Sequence, residues 1–253
     1  MSSKLTGNFY TITIFLFYAI AFSYNLEGIA SEELKPKINH SIYGNNSGPQ
    51  PDTSGIDIHY LRLDVKANDT NTYIEGSAYY LAKVTLNGLS GIVLDFSHNL
   101  VADSVFVDDL KVNYLETADY LRISFVNDYP AGQEFSVHIF YKGVSPVGGF
   151  FTGLSNGRDG TFLIPVTWTL SEPFGAKDWF PAKQVLTDKI DSVDMNITTP
   201  ANCLAGSNGK LLGISVLPDG SKCHHWKSRY PIDFYLISFT VSNYQDLAFT
   251  LIL

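Results

Sequence analysis

The sequence predicts an all-β domain, a sandwich or saddle of packed, mostly antiparallel sheets, behind an N-terminal signal helix. Three observations predict it. Apolar and polar residues alternate with period two along most of the chain after residue 56. Turn dipeptides interrupt the alternation at short intervals. The 15 Tyr and 17 Phe, with many Val, Ile and Thr, favour strands, and no segment carries a convincing amphipathic helical pattern.

The chain divides into residues 1–30, a signal peptide and cleavage region, 31–55, a flexible spacer, and 56–253, the β domain. Lys4 gives a weakly positive start, and the run from Phe9 to Phe22 is apolar. That run is short and interrupted by Tyr, Thr and Ser, whereas a membrane span needs about 20 apolar residues. Small residues at Ala21-Phe22-Ser23 and Gly28-Ile29-Ala30 offer cleavage sites. The expectation is an exported chain, periplasmic, cell-surface or extracellular, with no stable membrane span after signal cleavage. The spacer holds Pro36, Pro49 and Pro51 among polar residues.

The strands follow in order. Leu61, Leu63 and Val65 alternate with Arg62, Asp64 and Lys66. One long strand runs from Ile74 to Leu86, and Ile92, Leu94 and Phe96 continue the pattern. Leu121 to Phe125, Phe135 to Tyr141, Val193 to Ile197 and Tyr235 to Val241 complete it. Turns are expected at Asn87-Gly88, Pro130-Ala131-Gly132, Asn156-Gly157, Asp159-Gly160, Asn208-Gly209 and Asp219-Gly220. The one weak helical candidate is a turn or two over 183–191. Residues 167–189, TWTLSEPFGAKDWFPAKQVLTDK, break the alternation, and loops of this length are functional or closely packed.

Composition excludes several classes. The net charge of −8 is spread along the chain, so it reads as an acidic surface. No Lys/Arg stripe exists, which argues against nucleic acid. H-E-x-x-H, G-x-S-x-G, Walker and G-x-G-x-x-G patterns are all absent. Cys203 and Cys223 are the only cysteines and admit one disulfide in an oxidising compartment. The turn Leu217-Pro218-Asp219-Gly220 sets Cys223 opposite a residue near 214, so bridged and free forms both stay open. A metal site from these cysteines with His224 and His225 is disfavoured, because adjacent strand residues point to opposite faces. Asp188 and Asp191 beside Lys183 and Lys189 read as surface ion pairs. Glu172, ahead of Pro173, is the candidate functional residue. A carboxylate on an extended loop segment suits a cationic group such as a free amino terminus, although its chemistry alone favours a plain exposed loop Glu.

The ordered set of motifs resembles one family. Ile58-His59-Tyr60-Leu61-Arg62-Leu63-Asp64-Val65, Ser171-Glu172-Pro173-Phe174-Gly175-Ala176-Lys177, Trp179-Phe180-Pro181, Asp188-Lys189, Ser207-Asn208-Gly209-Lys210-Leu211, His225-Trp226 and Tyr235 to Phe239 lie in that family's order. They resemble the N-terminal domain of the gluzincin zinc aminopeptidases, the aminopeptidase N and leukotriene A4 hydrolase type. The resemblance implies a β saddle covering a thermolysin-like zinc domain. It implies that Glu172 is a substrate-binding residue, helping to hold the substrate's free amino group. Two positions depart from it: Leu170 stands where the family has Gln, and Ala182 where it has Cys. The family's zinc ligands do not occur in this sequence, so no catalytic residue, metal ligand or cofactor is assigned to this chain. The expectation is the β domain of an exported zinc aminopeptidase without its catalytic domain and inactive alone. A peptide N-terminus is then a partner only when a catalytic domain is present. The alternative is a stand-alone exported β-sandwich, a binding or scaffold module with a separate protein partner. The apolar residues 249–253 read as an element cut short.

Overall fold

Alternation becomes architecture because a strand sends successive side chains to opposite faces. The computed structural model describes residues 54–146 and 153–245; the expected signal segment, the spacer through residue 53 and the tail at 246–253 lie outside them. The first strands are β1 (Ile56–Lys66), β2 (Tyr73–Val84), β3 (Leu89–Asp95), β4 (Leu100–Val107) and β5 (Leu110–Lys111). Next come β6 (Tyr114–Glu116), β7 (Tyr120–Tyr129), β8 (Glu134–Val144), β9 (Leu154–Arg158) and β10 (Pro165–Thr169). The last are β11 (Ser192–Thr199), β12 (Leu204–Ser207), β13 (Lys210–Val216), β14 (Lys222–Ser228) and β15 (Phe239–Ser242). Two single 3-10 turns, Ala176–Asp178 and Phe234–Leu236, are the helical elements among the described residues.

The strands form three sheets. The large one has the order β13-β14-β11-β1-β2-β8-β4-β5, and the smaller ones β12-β15-β10-β9 and β3-β7-β6. All described pairings are antiparallel except β1 with β11, where Leu63 lies beside Met195 and Val65 beside Ile197. That parallel return follows the long excursion from β10 to β11, which carries Glu172.

The predicted alternation sorts the large sheet cleanly. Leu61, Leu63, Val65, Ala78, Tyr80, Val137, Ile139, Met195 and Ile197 join one core with Leu94, Leu121, Ile123, Phe239 and Val241 of the small sheets. The accessible face of the large sheet carries Arg62, Asp64, His138, Asn196 and His225. Burying a large aliphatic or aromatic side chain contributes about 1.5–3 kcal/mol, so this core dominates the stability of the fold. Gly88, Gly132, Gly209 and Gly220 adopt positive φ at the predicted turns. At Gly209 (φ +86) a Cβ would also lie 2.2 Å from the carbonyl oxygen of Lys227, so the turn requires glycine twice over.

Three expectations are corrected. Asn156-Gly157 lies inside β9 rather than in a turn, because the Asn156 amide is used across strands, donating to Asp69 O (2.7 Å) and Thr167 Oγ1 (2.8 Å). Residues 183–191 form no helix; Ile190 instead pairs with Ile232 in an isolated β-bridge. The run from Tyr235 to Val241 is strand only from Phe239, because Phe234 turns into the core and leaves Leu236 exposed.

Candidate functional site

Glu172 sits at the start of a tight turn leaving β10. Ser171 O accepts from Gly175 N at 2.8 Å, closing the turn. The following 3-10 turn returns the chain to the core, where Trp179 and Phe180 are fully buried with rings 4.5 Å apart. Trp179 Nε1 donates to Ser171 Oγ at 2.9 Å, so the anchoring tryptophan also fixes the residue before Glu172. Gly153 and Gly175 bring two backbones together: a Cβ on Gly153 would lie 2.1 Å from Gly175 O. Leu170 N donates to Gly153 O at 3.1 Å, which holds the other side of the turn.

The rest of the excursion is pinned to the body of the domain. Asp95 and Ala182 exchange backbone hydrogen bonds of 2.8 and 2.9 Å. Tyr80 Oη donates to Pro181 O, and burial holds that phenol well above its ordinary pKa. Lys177 N donates to Gln184 Oε1 at 3.3 Å, and Gln184 N to Asp95 Oδ2 at 3.2 Å. Burial raises the carboxyls of both Asp95 and Asp178, with backbone amide bonds opposing the shift. Lys183 and Asp188 form a contact pair, and Lys183 Nζ also donates to Ile56 O at 2.5 Å. Their side chains are 3% and 8% exposed, so the expected surface ion pair is an internal one tying the excursion to the start of β1. Lys189 pairs instead with Asp233, at 3.4 Å.

Glu172 itself is exposed, and its carboxylate makes no hydrogen bond or ion pair among the described residues. Pro173 and Phe174 beside it are also exposed, and Phe174 stacks on the buried Phe234 with centroids 6.2 Å apart. A free carboxylate is thus presented from a turn whose base is buried on both sides. Such an arrangement binds a cation without first breaking an internal pair.

The fold is shared with solved structures of known enzymes. An M1 zinc metallopeptidase from Deinococcus radiodurans matches with TM-score 0.64 and 19% identity, over 74% of this chain and 42% of that one. A mutant of that enzyme bound to a Tyr-Ser-Ala substrate matches with TM-score 0.64 and 18% identity. Leukotriene A4 hydrolase from Saccharomyces cerevisiae matches with TM-score 0.61 and 17% identity, over 76% of this chain and 30% of that one. This is the fold of a domain of the M1 zinc metallopeptidases. The chain spans less than half the length of these solved structures. No protein-family model matches the sequence, and no curated protein matches it.

The M1-like fold brings together some of the predicted residues and separates others. Ser171 and Trp179 are hydrogen-bonded, with Glu172 next to Ser171 in the chain. Cys203 and Cys223 are both free thiols in this structure. Cys203 is buried just before β12, where burial and Asp69 push its pKa up to about 11. Cys223 lies on β14 opposite Thr198 and Ser215, close to the expected register. His224 and His225 point to opposite faces, His224 buried and His225 on the accessible side. Among the described residues no three His, Cys, Asp or Glu side chains gather as metal ligands. Sequence reasoning missed Asp95, Asp178 and the internal role of Lys183. Each is a charged residue in an irregular or strand-end position, where alternation carries no signal.

Proposed function

We propose that this chain is the substrate-amine-contacting β domain of an exported zinc aminopeptidase, with Glu172 holding the free amino group of a peptide. The unpaired Glu172 carboxylate on its buried pedestal is the observation that carries this reading. An ammonium brought to it gains a charge-assisted hydrogen bond, worth about 1.5–3 kcal/mol. The shared M1 fold supports a covering role beside a zinc domain, and the M1 zinc metallopeptidase mutant bound to Tyr-Ser-Ala indicates the substrate class. On this reading zinc and hydrolysis belong to a separate catalytic domain. Leu170 cannot form the polar contact that Gln gives in the aminopeptidases, so Glu172 carries amine recognition with less help.

The purified 253-residue chain tests the division of labour. Incubated with an aminoacyl reporter and zinc, it is expected to release no product. Zinc-dependent release that a chelator abolishes would overturn the reading.

A further inference from the structure

Away from Glu172, on the accessible face of the large sheet, three strands bring a hydroxyl, an imidazole and an amide into line. Ser215 Oγ on β13 lies 2.9 Å from His225 Nε2 on β14, and His225 Nδ1 lies 2.9 Å from Asn196 Oδ1 on β11. Asn196 Nδ2 in turn donates to Asp64 Oδ1 on β1 at 2.6 Å. We propose that Ser215, His225 and Asn196 form a nucleophilic acyl-transfer site that hydrolyses small carboxylic esters.

The protonation pattern follows from the far end of the chain of bonds. Asp64 is a carboxylate held also by Arg62 Nε at 3.0 Å, so it only accepts. The Asn196 amide must therefore turn its NH2 to Asp64 and its oxygen to His225. That oxygen also only accepts, so the imidazole carries its proton on Nδ1. His225 Nε2 is left with a lone pair facing the Ser215 hydroxyl, the tautomer a general base needs. The order nucleophile, base, orienting group is thus set by Asp64, four strands' side chains deep.

The surroundings admit a substrate. Asn196, Ser215 and His225 line an open cleft of about 400 Å³. Leu212, 60% exposed, gives it an apolar wall suited to a short acyl group. Pairing slips between Leu211 and Gly213, so Leu212 has no partner across β14 and its peptide unit is left out of the ladder. A Cβ on Gly213 would meet nothing within 4 Å, so the backbone here is open to close approach.

In the reaction Ser215 Oγ bonds to the ester carbonyl carbon while its proton passes to His225 Nε2. The carbon–alkoxy bond breaks as that proton moves to the leaving oxygen, giving an alcohol and an acyl-serine. Water then attacks the acyl-serine, its proton passing through Nε2 back to Oγ, and the acid leaves. The overall change is ester plus water to acid plus alcohol.

The test uses the whole chain with a fluorophosphonate probe and with p-nitrophenyl acetate. The expected results are a probe adduct mapped to Ser215 and ester hydrolysis above the heat-denatured control. Ser215→Ala is expected to abolish both, and His225→Gln to slow labelling about 100-fold, the contribution of a general base. Both positions are on the accessible sheet face, and far-UV circular dichroism checks that each variant is folded. No adduct on the folded chain, or labelling unchanged in Ser215→Ala, would overturn the proposal. Neither result bears on Glu172, which lies outside this cleft.

Discussion

The side chains that matter most near Glu172 are the ones that hold it still. Trp179 is fully buried and its indole N–H is used by Ser171. Ser171→Ala leaves that buried donor without a partner, at a cost of about 1–3 kcal/mol. Trp179→Ala also opens a cavity and should cost about 3–5 kcal/mol. Urea denaturation of the two variants checks both values and their order. His224 gives a pH signature. Its ring is buried, Nδ1 faces Ile197 O at 3.2 Å, and burial lowers its pKa below the ordinary 6.5. The unfolded chain therefore binds more protons just below pH 6.5. Stability from His224 is present in full above that pH and is lost as pH falls through it. His138, lowered by burial, acts in the same direction, whereas the raised carboxyls of Asp95 and Asp178 act oppositely at lower pH. Comparing His224→Gln with the parent isolates the term: the variant's stability should fall less between pH 7 and 5. At this scale the opposite facing of His224 and His225 was legible from sequence. The Ser215–His225–Asn196–Asp64 alignment was not, because it joins residues from four strands whose order no local pattern reveals.

Elements were legible wherever one face is dry and the other wet. β1, β2, β8 and β11 read correctly because the large sheet buries one side against the small sheets and leaves the other accessible. The turns at Gly88, Gly132, Gly209 and Gly220 read correctly because each needs a positive φ that glycine adopts without steric cost. Pattern failed where tertiary contacts decide. Phe234 supplies core volume from a 3-10 turn, so an apparent strand begins late. Lys183 and Asp188 form an internal pair where their spacing suggested a surface one. The β1–β2 pairing makes a sharp demand of its own: a Cβ on Gly76 would lie 2.0 Å from Asp64 O. Gly76→Ala must displace backbone between two central strands and should cost about 3 kcal/mol. A thermal melt of that variant, against Gly213→Ala, where a Cβ meets open space, separates the steric effect from the loss of glycine itself.

For the whole molecule, three sheets share one core and leave Glu172 on an excursion fastened at Trp179, Ala182, Lys183 and Ile190. The β class and the mostly antiparallel pairing of the sheets followed from period and turns. The parallel β1–β11 pair did not, since it depends on where a long irregular excursion ends. The likeness to M1 zinc metallopeptidase structures is one of fold, and the proposed function has this excursion present Glu172 to a peptide amine. The central claim, that Glu172 recognises that amine, is tested by fusing residues 54–245 onto an M1 zinc domain in place of its own β domain. Steady-state hydrolysis of an aminoacyl reporter is then compared between the fusion and its Glu172→Gln variant. The account predicts a fall in kcat/KM of about 10- to 100-fold, the loss of one charge-assisted hydrogen bond. Equal kcat/KM in an active, folded pair would contradict it.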